Sequence, residues 1–163
     1  AAVIADADSV HVHFTRVYYS YCFGVASFEL LRQTGKRKHR RNGRRALRET
    51  QSWFNAGVAV AVAPFLLLTA ESLEDRTRKQ PARRTALLEQ AYLDAISAAV
   101  GASECLMIEA YSYERLAAIA SENKEGSKSR EFLGRAIELY TRWGAVAKLE
   151  LLRGPPSVPF AVA

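Results

Sequence analysis

Two windows of this 163-residue chain repeat each other at an offset of 41 residues: Tyr92-Leu93-Asp94-Ala95-Ile96 and Leu133-Gly134-Arg135-Ala136-Ile137. Each ends in Ala-Ile, and each reaches a Gly-Ala step, Gly101-Ala102 or Gly144-Ala145, at nearly the same distance. A small residue in mid-helix lets a second backbone come close, while bulky neighbours fill the gap beside it. Repetition at a period of about 20–50 residues marks stacked supersecondary units. The chain is therefore predicted to be all-α, built from antiparallel helix pairs. Composition agrees. Alanine and leucine are abundant, whereas the 9 Gly and 5 Pro are sparse and clustered, and a 49% hydrophobic, 25% charged balance argues against wholesale disorder. The length suits one compact domain or a short helical array.

Hydrophobic periodicity places the helices. The first is predicted over 9–33, capped by Asp8 or Ser9 and ended by Gly35, with Phe14, Tyr18, Tyr21, Val25 and Phe28 as its apolar stripe. Residues 36–43 carry no apolar side chain to bury and are predicted to be a solvated basic loop. A second helix begins near Arg44 and turns Leu47, Trp53 and Phe54 toward a core, until Asn55 and Gly57 interrupt it. The third, 58–75, is apolar on nearly all sides, and Pro64 is expected to kink or break it. A polar linker over 74–80 leads through Pro81 to a fourth helix, 82–100. Ser103 caps a fifth that runs to about Asn123, a sixth covers 128–143 and a short last one 145–152. Pro155, Pro156 and Pro159 then forbid further helix.

Net charge is +6, but nine Lys/Arg lie between Arg32 and Arg48, and the remaining 14 basic residues are outnumbered by 17 acids. The basic pI reports one local patch. No uninterrupted apolar run reaches the roughly 18–20 residues of a membrane span; the longest, 56–68, contains Pro64. Cys22 and Cys105 sit far apart in apolar helical runs and make no disulfide framework, which suits a reducing, cytoplasmic setting. The opening residues show no signal-peptide pattern, and the chain reads as a segment of something longer.

The later helix pair follows the tetratricopeptide pattern. Tyr113 takes the bulky first-helix position, Leu116 and Ala117 the next apolar and small ones, and Ala136 the small second-helix position. Ala120, Ser129 and Leu133 depart from it, so the fold is predicted to be a degenerate tetratricopeptide-like solenoid. The stretch 132–149, with Tyr140, Trp143-Gly144-Ala145, Lys148 and Leu149, resembles the close of the helical region in large multidomain signalling kinases. Upstream, Trp53, then Leu66-Leu67-Leu68-Thr69-Ala70-Glu71, then Tyr92, Ala95 and Ile96 follow that family's order over roughly 44–152. The resemblance implies a kinase-like domain and an ATPase before the array, and a GAF domain and often a histidine kinase after it. The organisation expected is an N-terminal helix (1–35), the basic loop (36–43), tetratricopeptide-like repeats (44–152) and a Pro-rich tail or linker (153–163).

Candidate sites are few. His11 and His13, two apart on a helix, point to different faces and do not share a metal ion. No Ser/His/Asp set, phosphate-cradling loop or HExxH sequence occurs; Glu109 and Glu114 read as solvated or paired helix carboxylates. No catalytic residue, cofactor or metal is expected. Lys36, Arg37, Lys38, Arg40, Arg41, Arg44 and Arg45 form a candidate anion- or partner-binding patch. The run itself holds no interleaved aromatic, so a solvated loop is preferred over nucleic-acid binding. Trp53, Tyr92, Ala95, Tyr113, Leu116, Ala117, Leu133, Ala136, Tyr140 and Trp143 are assigned to packing between repeats, the two tryptophans as wedges. The function expected is a non-catalytic scaffold or interaction segment of an intracellular signalling protein. Its partners would be other domains of the same polypeptide or another protein, and the isolated segment would tend to self-associate. The alternative is a nucleic-acid or phosphate-binding module using the 32–48 patch.

Overall fold

The computed structural model describes residues 7–77, 81–101 and 105–153. It is all-helical, with seven α-helices and no strand among the described residues: α1 (Ala7–Thr34), α2 (Arg37–Asn55), α3 (Val62–Thr77), α4 (Pro81–Ala99), α5 (Leu106–Glu122), α6 (Gly126–Trp143) and α7 (Val146–Arg153). A 3-10 turn, Ala59–Ala61, precedes α3. The chain divides into two compact units, 1–98 and 99–163.

In the first unit α1 buries Val17, Tyr21, Val25, Phe28 and Leu31, a stripe at spacings of three and four. Gly35, at φ +66°, ends the helix in the left-handed conformation, its N–H donating to the Leu31 carbonyl at 2.8 Å. The chain then doubles back. Ser20 meets Glu49, Gly24 meets Ala46 and Phe28 meets Gly43, so α1 and α2 are antiparallel. Gly24 also faces Leu68, and Arg32 reaches Glu71 and Glu74, so α1 and α3 run parallel. Two glycines set these distances. A Cβ at Gly24 would lie 2.7 Å from a Leu68 methyl and 2.9 Å from the Ala46 Cβ, and one at Gly43 would lie 2.8 Å from the Phe28 ring.

Three expectations are corrected. The stretch 36–43 is not a loop: α2 begins at Arg37. The loop was expected because the stretch has no apolar side chain to bury; as a helix start it also lacks a side-chain cap, and five basic or histidine side chains crowd the positive end of its dipole. What offsets that cost lies elsewhere in the chain: Asp75 on α3 accepts three hydrogen bonds from Arg40, the shortest at 2.9 Å from each of Nε and Nη2. Pro64 does not kink a long third helix. That helix starts at Val62, so Pro64 occupies its first turn, where the missing N–H has no intrahelical partner to lose. The polar segment from Glu74 is helical as far as Thr77 and not a linker. Ser103, residues 78–80 and the prolines after 153 lie outside the described residues.

In the second unit α5 and α6 are antiparallel, with Ala117 opposite Ser129 and Tyr113 opposite Phe132. Ala110, Ala136, Leu139, Tyr140 and Leu149 form its core, so α7 folds back on the α5–α6 pair. Gly144, at φ +78°, makes the turn between α6 and α7.

The close approaches yield a stability test. Gly24→Val should destabilise the chain by about 1–3 kcal/mol, because overpacking forces the backbones apart. Gly134, also helical but with nothing within 4 Å of its Cβ position, should gain about 0.5–1 kcal/mol on change to Ala. Urea denaturation of both variants checks the pair; equal effects would contradict the packing.

Candidate functional site

The most unusual chemistry of the first unit is inside it. Glu71 and Glu74, one turn apart on α3, continue the line of Leu67 and Leu68 and therefore face the core. The Glu71 side chain is 0% exposed. A bare carboxylate there would cost several kcal/mol, so its oxygens must find donors. Both do. Tyr92 of α4 donates its hydroxyl to Glu71 Oε1 at 2.7 Å, and Arg32 Nη1 of α1 donates to Glu71 Oε2 at 2.7 Å. Glu74 Oε2 accepts from the same Arg32 nitrogen at 3.0 Å and lies 3.1 Å from the Tyr92 hydroxyl, while Arg84 Nη2 lies 3.4 Å from Glu74 Oε1. Arg32 also holds Glu29 through Nε and Nη2, at 3.1 and 2.6 Å. Paired carboxylates suggest acid–base chemistry, but a substrate cannot reach a group with no exposed surface. The cluster joins α1, α3 and α4.

Asp75 completes the arrangement toward α2. Besides Arg40 it has Arg44 Nη2 at 3.6 Å. The hydrogen bonds that Arg40 donates to Asp75, and then the Asp75 charge, hold the Arg40 guanidinium above its ordinary range. Two of the seven candidate anion-binding residues are thus engaged within the fold. Lys36, Arg37, Lys38, Arg41 and Arg45 remain at the surface, and Arg48 joins them. Helical geometry sets Lys38, Arg41, Arg45 and Arg48 in one line, at steps of three, four and three.

Beside that line, α1 and α2 enclose an open groove of about 520 Å³. Arg16, Tyr19, Ser20 and Phe23 line it from α1, and Arg45 and Glu49 from α2. Tyr19 is 71% exposed, and its ring lies 6.3 Å from that of Phe23 with the planes 6° apart. The Ser20 hydroxyl donates to Glu49 Oε2 at 3.0 Å. The sequence reading had the basic run as a loop without aromatics. The structure makes it a helix and brings the aromatics from α1.

The residues assigned to repeat packing divide. Tyr92, Ala95, Leu116, Ala117, Ala136 and Tyr140 are buried, Ala95 and Ala136 completely. Trp53, Tyr113 and Leu133 are half-buried, and Phe132, not Leu133, faces the Tyr113 ring at 6.1 Å. Trp143 is not a buried wedge: it is 43% exposed and leans on Tyr140, with centroids 6.4 Å apart. His11 and His13 fall on α1, and their side chains lie outside what is described.

The second unit has its own carboxylate arrangement. Glu114 accepts from the Tyr140 hydroxyl at 2.7 Å and from Lys148 Nζ at 2.8 Å. Burial, then the Glu114 charge and hydrogen bond, push the Tyr140 phenol well above its usual range. Ser129 donates to the Ala117 carbonyl across α5 and α6 at 2.9 Å, so a serine in place of the pattern's alanine adds a bond where the helices are close.

No family model, curated protein sequence or solved structure matches this chain. The ionic cluster was missed from sequence, although a signal existed: Glu71 and Glu74 lie in register with Leu67 and Leu68, so carboxylates occupy an apolar stripe. Arg32, Arg84 and Tyr92 as their partners had no local signature.

Two tests follow from this geometry. Tyr92→Phe removes the donor shared by two buried carboxylates and should cost about 1–3 kcal/mol, against less than about 0.5 kcal/mol for exposed Tyr19→Phe. Thermal or urea unfolding distinguishes them. In the second unit the raised Tyr140 phenol stabilises the fold below the ordinary tyrosine pKa of about 10, and that contribution is lost as pH climbs above it. Unfolding free energy should fall with pH above about 10, and Tyr140→Phe should flatten the decline. An identical alkaline slope in the variant would contradict the burial.

Proposed function

We propose that this chain is a non-catalytic helical scaffold, a tetratricopeptide-like stretch that offers its surfaces to other domains of the same polypeptide or to a protein partner. The parent we have in view is a multidomain signalling protein of the kinase-and-ATPase type that the sequence resembles. The observation that carries the reading is the order of helices in the first unit. Antiparallel α2 packs on both α1 and α3, and α1 and α3 are parallel. Helix pairs that stack in series adopt this order, each pair burying its apolar face only against the next.

A second feature supports it. At the end of the second unit Trp143, Val146 and Leu151 stand in water, Leu151 at 78% exposure. Exposed apolar side chains on the last two helices offer contacts to a further helix in a longer array. The interior carboxylates, occupied by Arg, Lys and Tyr donors on neighbouring helices, fit a part that works through packing.

Sedimentation velocity from micromolar to near-millimolar protein tests the reading. Self-association through the apolar end is expected, and Val146→Glu with Leu151→Glu should leave a monomer of unchanged helix content. A wild-type chain that stays monomeric throughout would remove that support. ATP turnover by the isolated chain, lost on changing Glu71 or Glu114, would contradict the non-catalytic assignment.

A further inference from the structure

We propose that the groove between α1 and α2 binds single-stranded nucleic acid, with phosphates along the exposed line of α2 and one base against Tyr19. This goes beyond the scaffold reading and does not depend on it. Lys38, Arg41, Arg45 and Arg48 follow one another along α2 at about 4.5–6 Å of axial rise. All four are exposed, and Asp75 draws off Arg40 and Arg44 instead. Cations fixed on a helix neutralise successive phosphates without first ordering a loop, so less conformational entropy opposes binding. Arg16 flanks the same groove from α1.

The aromatic pair adds what charge alone lacks. Tyr19 is kept in the open, held parallel to Phe23 beneath it, beside the cationic line. A base stacked on such a ring gains roughly 5- to 150-fold in affinity, whatever its identity. Glu49, in the groove and held by Ser20, sorts the ligand's parts. Its carboxylate repels phosphate, which leaves the backbone on the α2 line, and it accepts from an exocyclic amino group. Cytosine carries such a donor and thymine does not, so cytosine is preferred.

Other polyanions fit less well. An acidic peptide would bring carboxylates toward Glu49 and make no use of the stacked rings. A membrane surface calls for an apolar helix side to insert, whereas Gly43, Ala46 and Thr50, on the other side of α2, are buried. A duplex keeps its base faces stacked inside and offers Tyr19 nothing to cover.

Fluorescence anisotropy with labelled twelve-residue oligodeoxycytidylate and oligothymidylate tests the proposal on the full chain. With four cations engaged, affinity should fall roughly 50-fold between 50 and 200 mM salt. Arg41→Glu with Arg45→Glu should abolish binding, and Lys38→Glu with Arg48→Glu gives an independent pair; circular dichroism confirms folding of each. Tyr19→Ser should weaken binding roughly tenfold. Oligodeoxycytidylate should bind more tightly than oligothymidylate, and Glu49→Ala should narrow the difference. The proposal is overturned by no binding at 50 mM salt, or by a Tyr19→Ser variant that binds as well as wild type. It is equally overturned if a duplex of matched length, polyglutamate or phosphatidylserine vesicles bind as tightly as the single strand.

Discussion

A carboxylate shut away from water has to be met by donors, and in the first unit that requirement fixes where three helices stand. Glu71 cannot be solvated, so Arg32 and Tyr92 must reach it, and Glu74 beside it draws on both again and on Arg84. Apolar contact alone tolerates sliding of one helix along another, because any methyl is much like the next. A hydrogen bond does not. The cluster therefore sets the register of α1 and α4 against α3, while Leu67, Leu68, Leu88 and Phe28 supply the area.

The same helix organises α2. A sequence that opens with Arg37-Lys38-His39-Arg40-Arg41 and no capping side chain is a poor helix start in isolation. Asp75 pins it through Arg40, and Gly43 lets it lie flat on the Phe28 ring. With the helix formed, charges that would be scattered on a loop become a line of fixed pitch, and that line is what borders the groove containing Tyr19. A surface property thus follows from an acid one residue beyond the buried pair.

How much of this was legible depended on range. The helical class, the Tyr21, Val25 and Phe28 part of the α1 stripe and the buried Ala95 and Ala136 follow from local periodicity, whereas Tyr18, also assigned to that stripe, is exposed and Val17 and Leu31 are buried in its place. The errors at 36–43 and Pro64 share a cause: a stretch without apolar side chains was read as a loop, and a proline as a kink, where a partner on another helix, or a displaced helix start, decided the outcome. The ionic cluster was half visible, since two acids in a leucine stripe demand an explanation, but the partners stand between 10 and 42 positions away. The groove was invisible to local reading, because its aromatics and cations come from different helices.

Both units use a buried tyrosine hydroxyl to satisfy a glutamate with a cation nearby, Tyr92 with Glu71 and Tyr140 with Glu114. The devices share chemistry but not register, because the 41-residue offset sets Tyr92 against Leu133. The most direct measurement of the central claim is a double-mutant cycle on Arg32→Met and Glu71→Leu, read by urea denaturation. Since each single change strands the other's polar group, the pair should be less damaging than the sum, with a coupling of about 1.5–3 kcal/mol. Additivity within about 0.5 kcal/mol would mean that the buried carboxylate does not hold α1 to α3, and the account would be contradicted.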